Sequence, residues 1–114
     1  MKVYGIKNCD TVKKALTWLD ENNVKYEFHD YKKLGVSEDK LKEWSGKVGY
    51  EPLINKRGTT WKKLDPAIQS SIDSEHAAFQ LMQDKTSVIK RPILENNDQI
   101  VLGFDPEAFQ KLVK

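Results

Sequence analysis

The sequence predicts an α/β domain in which a βαβ half is followed, after a helical stretch, by a ββα half, around a mixed four-stranded sheet. Three observations carry this. A short apolar run, an amphipathic run and an alternating run succeed one another within the first thirty residues. Two apolar segments flank Asn96-Asn97-Asp98 near the other end. Asp105-Pro106-Glu107 directly after them has the make-up of a helix start.

Residues 2–6 read as a buried strand, because Val3, Tyr4 and Ile6 supply β-propensity. Lys7-Asn8-Cys9 is a loop, and Asp10 or Thr11 can cap a helix running to about Asn23. Val12, Ala15, Leu16 and Leu19 fall at helical spacing, with Trp18 beside them. Val24, Tyr26 and Phe28 alternate with Lys25, Glu27 and His29, the pattern of a half-buried strand. Strand, helix and strand so close together form a βαβ unit, expected to be parallel and right-handed.

The middle of the chain is helical and polar. Ser37 is expected to cap a helix with Leu41 and Trp44 inward, ending near Gly46. Residues 56–60 form a basic loop, leading into a short helix with Trp61 and Leu64 that Asp65-Pro66 should stop. Ser74 caps a further helix whose apolar face is Ala77, Ala78, Leu81 and Met82. Residues 87–90 return to strand character, and Arg91-Pro92 interrupts it. Residues 93–95 and 99–103 read as a β-hairpin across Asn96-Asn97-Asp98. The last helix turns Phe109, Leu112 and Val113 inward. The expectation is one domain over residues 1–114, with a core of 1–36 and 84–114 and a helical insertion over 37–83.

Composition narrows the functional classes. Charged residues are 32% and hydrophobic residues 39%, as in soluble globular proteins. A net charge of +2, with lysines spread along the chain, argues against a nucleic-acid partner. No apolar run approaches the ~20 residues of a membrane span. Residues 1–6 are too short for the apolar part of a signal peptide, and one cysteine cannot form an internal disulfide, so a cytoplasmic setting is expected.

That cysteine, Cys9, is the strongest candidate for chemistry. It stands at a strand-to-helix junction, where unpaired N–H groups and the helix dipole favour thiolate over thiol. Lys7, Lys13 and Lys14 add positive charge nearby. A dithiol motif is excluded by Val12, and a phosphatase-type loop by Ala15 where its arginine would be. His29 and His76 are the only histidines, and a strand end and a polar helix surface are their ordinary readings. One cysteine and two scattered histidines make a poor metal site. What remains is a lone thiolate attacking a small oxyanion or a disulfide, with an outside thiol to resolve the product. Arg57 and Arg91 are the only arginines, and a guanidinium binds oxyanions and carboxylates bidentately as lysine cannot.

The βαβ–ββα order with a nucleophile after the first strand is the thioredoxin-like order. Four segments sharpen this: Tyr4-Gly5-Ile6-Lys7-Asn8-Cys9-Asp10-Thr11-Val12-Lys13-Lys14-Ala15, Leu53-Ile54-Asn55-Lys56-Arg57-Gly58-Thr59-Thr60-Trp61, Ile89-Lys90-Arg91-Pro92-Ile93 and Gly103-Phe104-Asp105-Pro106-Glu107. On them the chain resembles, over essentially its full length, the arsenate reductase-like family of the thioredoxin superfamily. It looks most like the YffB-type branch, whose relatives include the Spx-type transcription regulators. The resemblance implies a thioredoxin-like fold with a helical insertion, Cys9 as nucleophile, and Arg91 followed by a cis Pro92 that faces it. It matches Arg57 to the loop arginine of the YffB and Spx branches, where the arsenate reductases carry theirs nearer Asn55. Those enzymes use a further arginine before the last helix, in the neighbourhood of Phe104, and this sequence has no third arginine.

The resemblance thus implies a thiol-dependent oxidoreductase with glutathione or another small thiol as co-substrate and no bound cofactor. A glutaredoxin-like reductant is the implied partner, and the physiological substrate is undefined. The implied binding set is Asn8, Thr11, Lys13, Arg57, Arg91 and Pro92. Two alternatives stand beside it: an Spx-like, non-catalytic regulator that binds RNA polymerase, and a true arsenate reductase with a degenerate anion site.

Overall fold

In the computed structural model, which describes residues 1–113, the chain divides into two compact units. One comprises Met1–Leu34 and the chain from Arg91 onward, the other Gly35–Lys90.

The first unit is built on strands β1 (Lys2–Gly5), β2 (Glu27–Asp30), β3 (Ile93–Asn96) and β4 (Gln99–Leu102). They form one mixed sheet in the order β2-β1-β3-β4. Helix α1 (Asp10–Glu21) is the crossover between the parallel pair β1 and β2, while β3 runs antiparallel to β1 and to β4. Strand pleating sends neighbouring side chains to opposite faces. Val3, in register with Phe28 and Leu94, joins Ala15 and Leu19 of α1 and Phe109 and Leu112 of α7 (Pro106–Leu112) in a buried hydrophobic core. Tyr4, in register with His29 and Ile93, faces the other way. The anticipated hairpin forms with Asn96 opposite Gln99, and Asn97 takes the left-handed conformation (φ 57°) the tight turn needs.

Two details of this unit differ from the sequence expectation. β2 begins at Glu27 rather than Val24: Val24 still bonds back to the carbonyl of Leu19, and pairing starts only where Glu27 donates to Met1. Val24, Tyr26 and Phe28 nonetheless pack on the core as their alternation requires. Helix α2 (Tyr31–Leu34) follows β2 at once, unforeseen, and buries Tyr31 completely.

The second unit contains α3 (Glu38–Val48), α4 (Thr59–Lys62), α5 (Pro66–Ser71) and α6 (Glu75–Asp84). Leu41 and Trp44 of α3 and Ala78, Phe79 and Met82 of α6 are buried, and Ser45 Oγ donates to Glu75 Oε2 at 2.8 Å. Ser37 and Ser74 cap α3 and α6, accepting from the N–H of Lys40 and of Ala77. Three expectations are corrected. α3 runs through Gly46 and ends at Gly49, whose positive φ of 85° is a backbone conformation that favours glycine. Asp65-Pro66 starts a helix: Asp65 caps α5 by accepting from Ala67, and Pro66 sits at the first position, where its missing N–H costs nothing. Residues 87–90 are not a regular strand. A 3₁₀ turn over Thr86–Val88 is followed by a single antiparallel bridge, Ile54 to Ile89.

Candidate functional site

Cys9 is itself the N-cap of α1. Its backbone is extended (φ −111°, ψ 125°), and its carbonyl accepts the first helical bond, from Lys13 at 2.9 Å. This corrects the expectation that Asp10 or Thr11 would cap; those residues are already helical. The sulfur therefore stands where a serine or aspartate oxygen normally meets the first-turn N–H groups. No completed side-chain capping bond is present. Burial pushes the thiol's ionisation up. The Val12 N–H, the Arg91 guanidinium and the Thr11 N–H together outweigh it, so the thiol ionises below its ordinary value.

Arg91 is brought to this point by the turn into β3. The Arg91–Pro92 peptide bond is cis, Pro92 is buried, and its carbonyl accepts from Gly103 at 2.7 Å. The approach also depends on Gly5 at the end of β1. A Cβ there would lie 2.8 Å from Val12 Cγ2 and 3.8 Å from Arg91 Cβ. Val12 is fully buried and β-branched, so it has little room to yield. Gly5 thus lets the first turn of α1 and the base of Arg91 close on the same strand end.

The other sequence candidates are distributed as follows. Asn8 is exposed in the preceding loop. Thr11 is exposed and contributes its N–H, not its hydroxyl, to the electrostatics of the sulfur. Lys13 is exposed and lines an open groove on the outer side of α1 with Lys14, Trp18 and Phe104. Arg57 is exposed in the second unit, in the loop before α4. His76 is exposed on α6, and His29 is held among rings, 5.0 Å from Tyr4 and 6.5 Å from Tyr31.

Gly5 and Tyr31 escaped the sequence reading. Gly5 was legible only as a strand residue. Tyr31 is in phase with His29 at period two, and the strand pattern, followed two residues past His29, would have singled it out.

Comparison with known proteins places this geometry. The ArsC family model matches residues 4–112. A solved YffB protein is 44% identical, covering 99% of this chain and 98% of that one with a TM-score of 0.92. An arsenate reductase (ArsC) related protein from Brucella melitensis is 41% identical, covering 99% and 93% with a TM-score of 0.77. The global transcriptional regulator Spx of Listeria innocua is 23% identical over 113 residues, 97% of this chain and 85% of that protein.

Proposed function

The chain belongs to the ArsC family, and from that premise we propose that it is a single-cysteine, thiol-dependent oxidoreductase with Cys9 as nucleophile and glutathione or another small thiol as co-substrate. The observation that carries the reading is the place of Cys9 at the N-cap of α1, where the first-turn N–H groups and the Arg91 guanidinium favour its thiolate.

The chemistry is thiol–disulfide exchange. The Cys9 thiolate attacks the glutathionyl sulfur of a mixed disulfide between substrate and glutathione. That S–S bond breaks, the substrate leaves as thiolate and takes a proton from solvent, and a Cys9–glutathione disulfide forms. A second glutathione thiolate, or that of a glutaredoxin-like protein, attacks the glutathionyl sulfur and releases Cys9 as thiolate. Across the cycle the substrate sulfur leaves with the electron pair of its S–S bond and ends as a thiol, while the sulfur of the resolving thiol is oxidised by the same amount and ends in the new disulfide. Arg91 favours the attacking thiolate and offers a guanidinium to the carboxylates of the thiol. Asn8, Thr11, Lys13 and Pro92 complete the proposed binding set in the first unit, and the role proposed for Arg57 rests on the resemblance alone.

Intact-mass detection after exposure to oxidised glutathione tests this. One glutathionyl adduct is expected on the wild type, removable by added glutathione and absent in Cys9→Ser. A wild-type protein that takes up no adduct at neutral pH would overturn the reading.

The likeness to Spx favours a second reading, a regulator that docks on RNA polymerase. Val12 stands where a Cys-x-x-Cys switch would need its second thiol, which leaves plain binding. Stoichiometric co-purification with RNA polymerase, without thiol-dependent turnover, would decide for it.

A further inference from the structure

The side of the sheet opposite the hydrophobic core carries a cluster of three rings. Tyr4 and Tyr31 lie with centroids 6.4 Å apart and planes 24° from parallel. His29 sits 5.0 Å from Tyr4 and edge-on to Tyr31 at 6.5 Å. Tyr31 is wholly buried, and Tyr4 is anchored by its hydroxyl, which donates to Glu95 Oε1 at 3.3 Å. The strand register explains where this cluster points. Asp30, just before Tyr31, pairs with Gly5, the residue against which Arg91 packs. Ile93, two residues after Arg91, pairs with Tyr4. Tyr31 and Arg91 are thereby delivered to the same end of β1 from its two flanking strands.

The electrostatics agree with that placement. Burial foremost, then the Tyr4 phenol, push the ionisation of Tyr31 well above its ordinary range, while the Arg91 charge pulls the other way. The same guanidinium acts on Cys9. An arginine side chain must give up its rotamer freedom before it can hold one geometry. A guanidinium that must meet a sulfur reproducibly needs a fixed polar neighbour, and a phenol oxygen on a ring held by its own packing can be one.

We infer that Tyr31 is a positioning residue: braced by Tyr4 and His29, it holds the Arg91 guanidinium beside Cys9 without meeting substrate itself. The inference rests on the thiol reading above and adds a second layer to it.

The test is the pH profile of Cys9 alkylation in wild type, Tyr31→Phe, Arg91→Ala and the double variant. Tyr31→Phe keeps the ring and removes the hydroxyl. It is expected to move the midpoint upward, with a loss of roughly two-fold or more in rate at neutral pH. In the Arg91→Ala background the same change is expected to add nothing, since a residue acting through Arg91 has no route left. Tyr26→Phe, which removes a phenol beside Asp20 instead, should leave the profile unchanged. A Tyr31→Phe midpoint equal to wild type, or an equal shift in both backgrounds, would overturn the inference while leaving the thiol reading intact. A wild-type midpoint at the free-thiol value would overturn both. Should Tyr31→Phe fail to fold, the wild type still decides: the Tyr31 ring resonances are expected to shift when Cys9 is alkylated, and their constancy would contradict the inference.

Discussion

Two helices of the first unit begin in opposite ways. α7 starts with Asp105, whose carboxylate accepts from the N–H of Ala108 at 3.2 Å, and with Pro106 at its first position, so its donors are largely accounted for. α1 starts with Cys9, a side chain that completes no such bond. The second unit repeats the first pattern at Ser37, Asp65 and Ser74. α1, like α4 with Gly58 at its start, thus forgoes a side-chain capping bond, worth about 1 kcal/mol elsewhere, and at α1 the first-turn N–H groups are offered to a sulfur. The difference separates a helix start that serves the fold from one that serves chemistry.

Cys9→Ser inverts the comparison most completely. All thiol chemistry should vanish by mass spectrometry and alkylation. The serine oxygen can also make the bond that sulfur does not, so denaturant unfolding should show stability unchanged or raised by about 0.5 kcal/mol. A clear loss of stability would mean that the sulfur serves packing. Gly5→Ala attacks the approach of α1 to Arg91. The added methyl meets Val12 Cγ2, and a destabilisation of about 1–3 kcal/mol is expected, together with slower Cys9 alkylation. A fully stable variant with wild-type reactivity would show that the close approach is dispensable. Asp105→Ala is the smallest change. It should cost about 1 kcal/mol of stability and leave the alkylation profile untouched, because α7 has no part in the thiol's environment.

The sequence reading succeeded where local chemistry and tertiary packing agree. Val3, Ala15, Leu19 and Phe109 carry the periodicities of their elements and meet in one core. The Asn97 turn and the caps at Ser37, Ser74 and Asp105 follow from side chains that can do little else. It failed where one motif has two meanings. Asp65-Pro66 and Asp105-Pro106 are the same dipeptide, yet the first was expected to stop a helix, although Asp at a cap and Pro after it start one. Residues 87–90 have strand composition, but only Ile89 finds a bridging partner, so propensity had no ladder to join. In the site, Cys9 was legible from its position, and its place as the cap itself was not, because cysteine is outside the usual capping set. Its meeting with Arg91 depends on Gly5 and on β1–β3 pairing across some ninety positions of sequence, which no local pattern encodes.

The most direct test of the account is the rate of Cys9 alkylation against pH in wild type and Arg91→Ala. The reactive species is the thiolate, so the rate rises with pH and is half-maximal at the thiol's own pKa. A native thiol that ionises below its unfolded value also contributes stability that is present above the unfolded pKa and lost as pH falls through the native one. The account predicts a wild-type midpoint clearly below the ~8.5 of a free cysteine, moved upward in Arg91→Ala because the guanidinium that favours the thiolate is gone. A wild-type midpoint at the free value, or one that Arg91→Ala leaves in place, would contradict it.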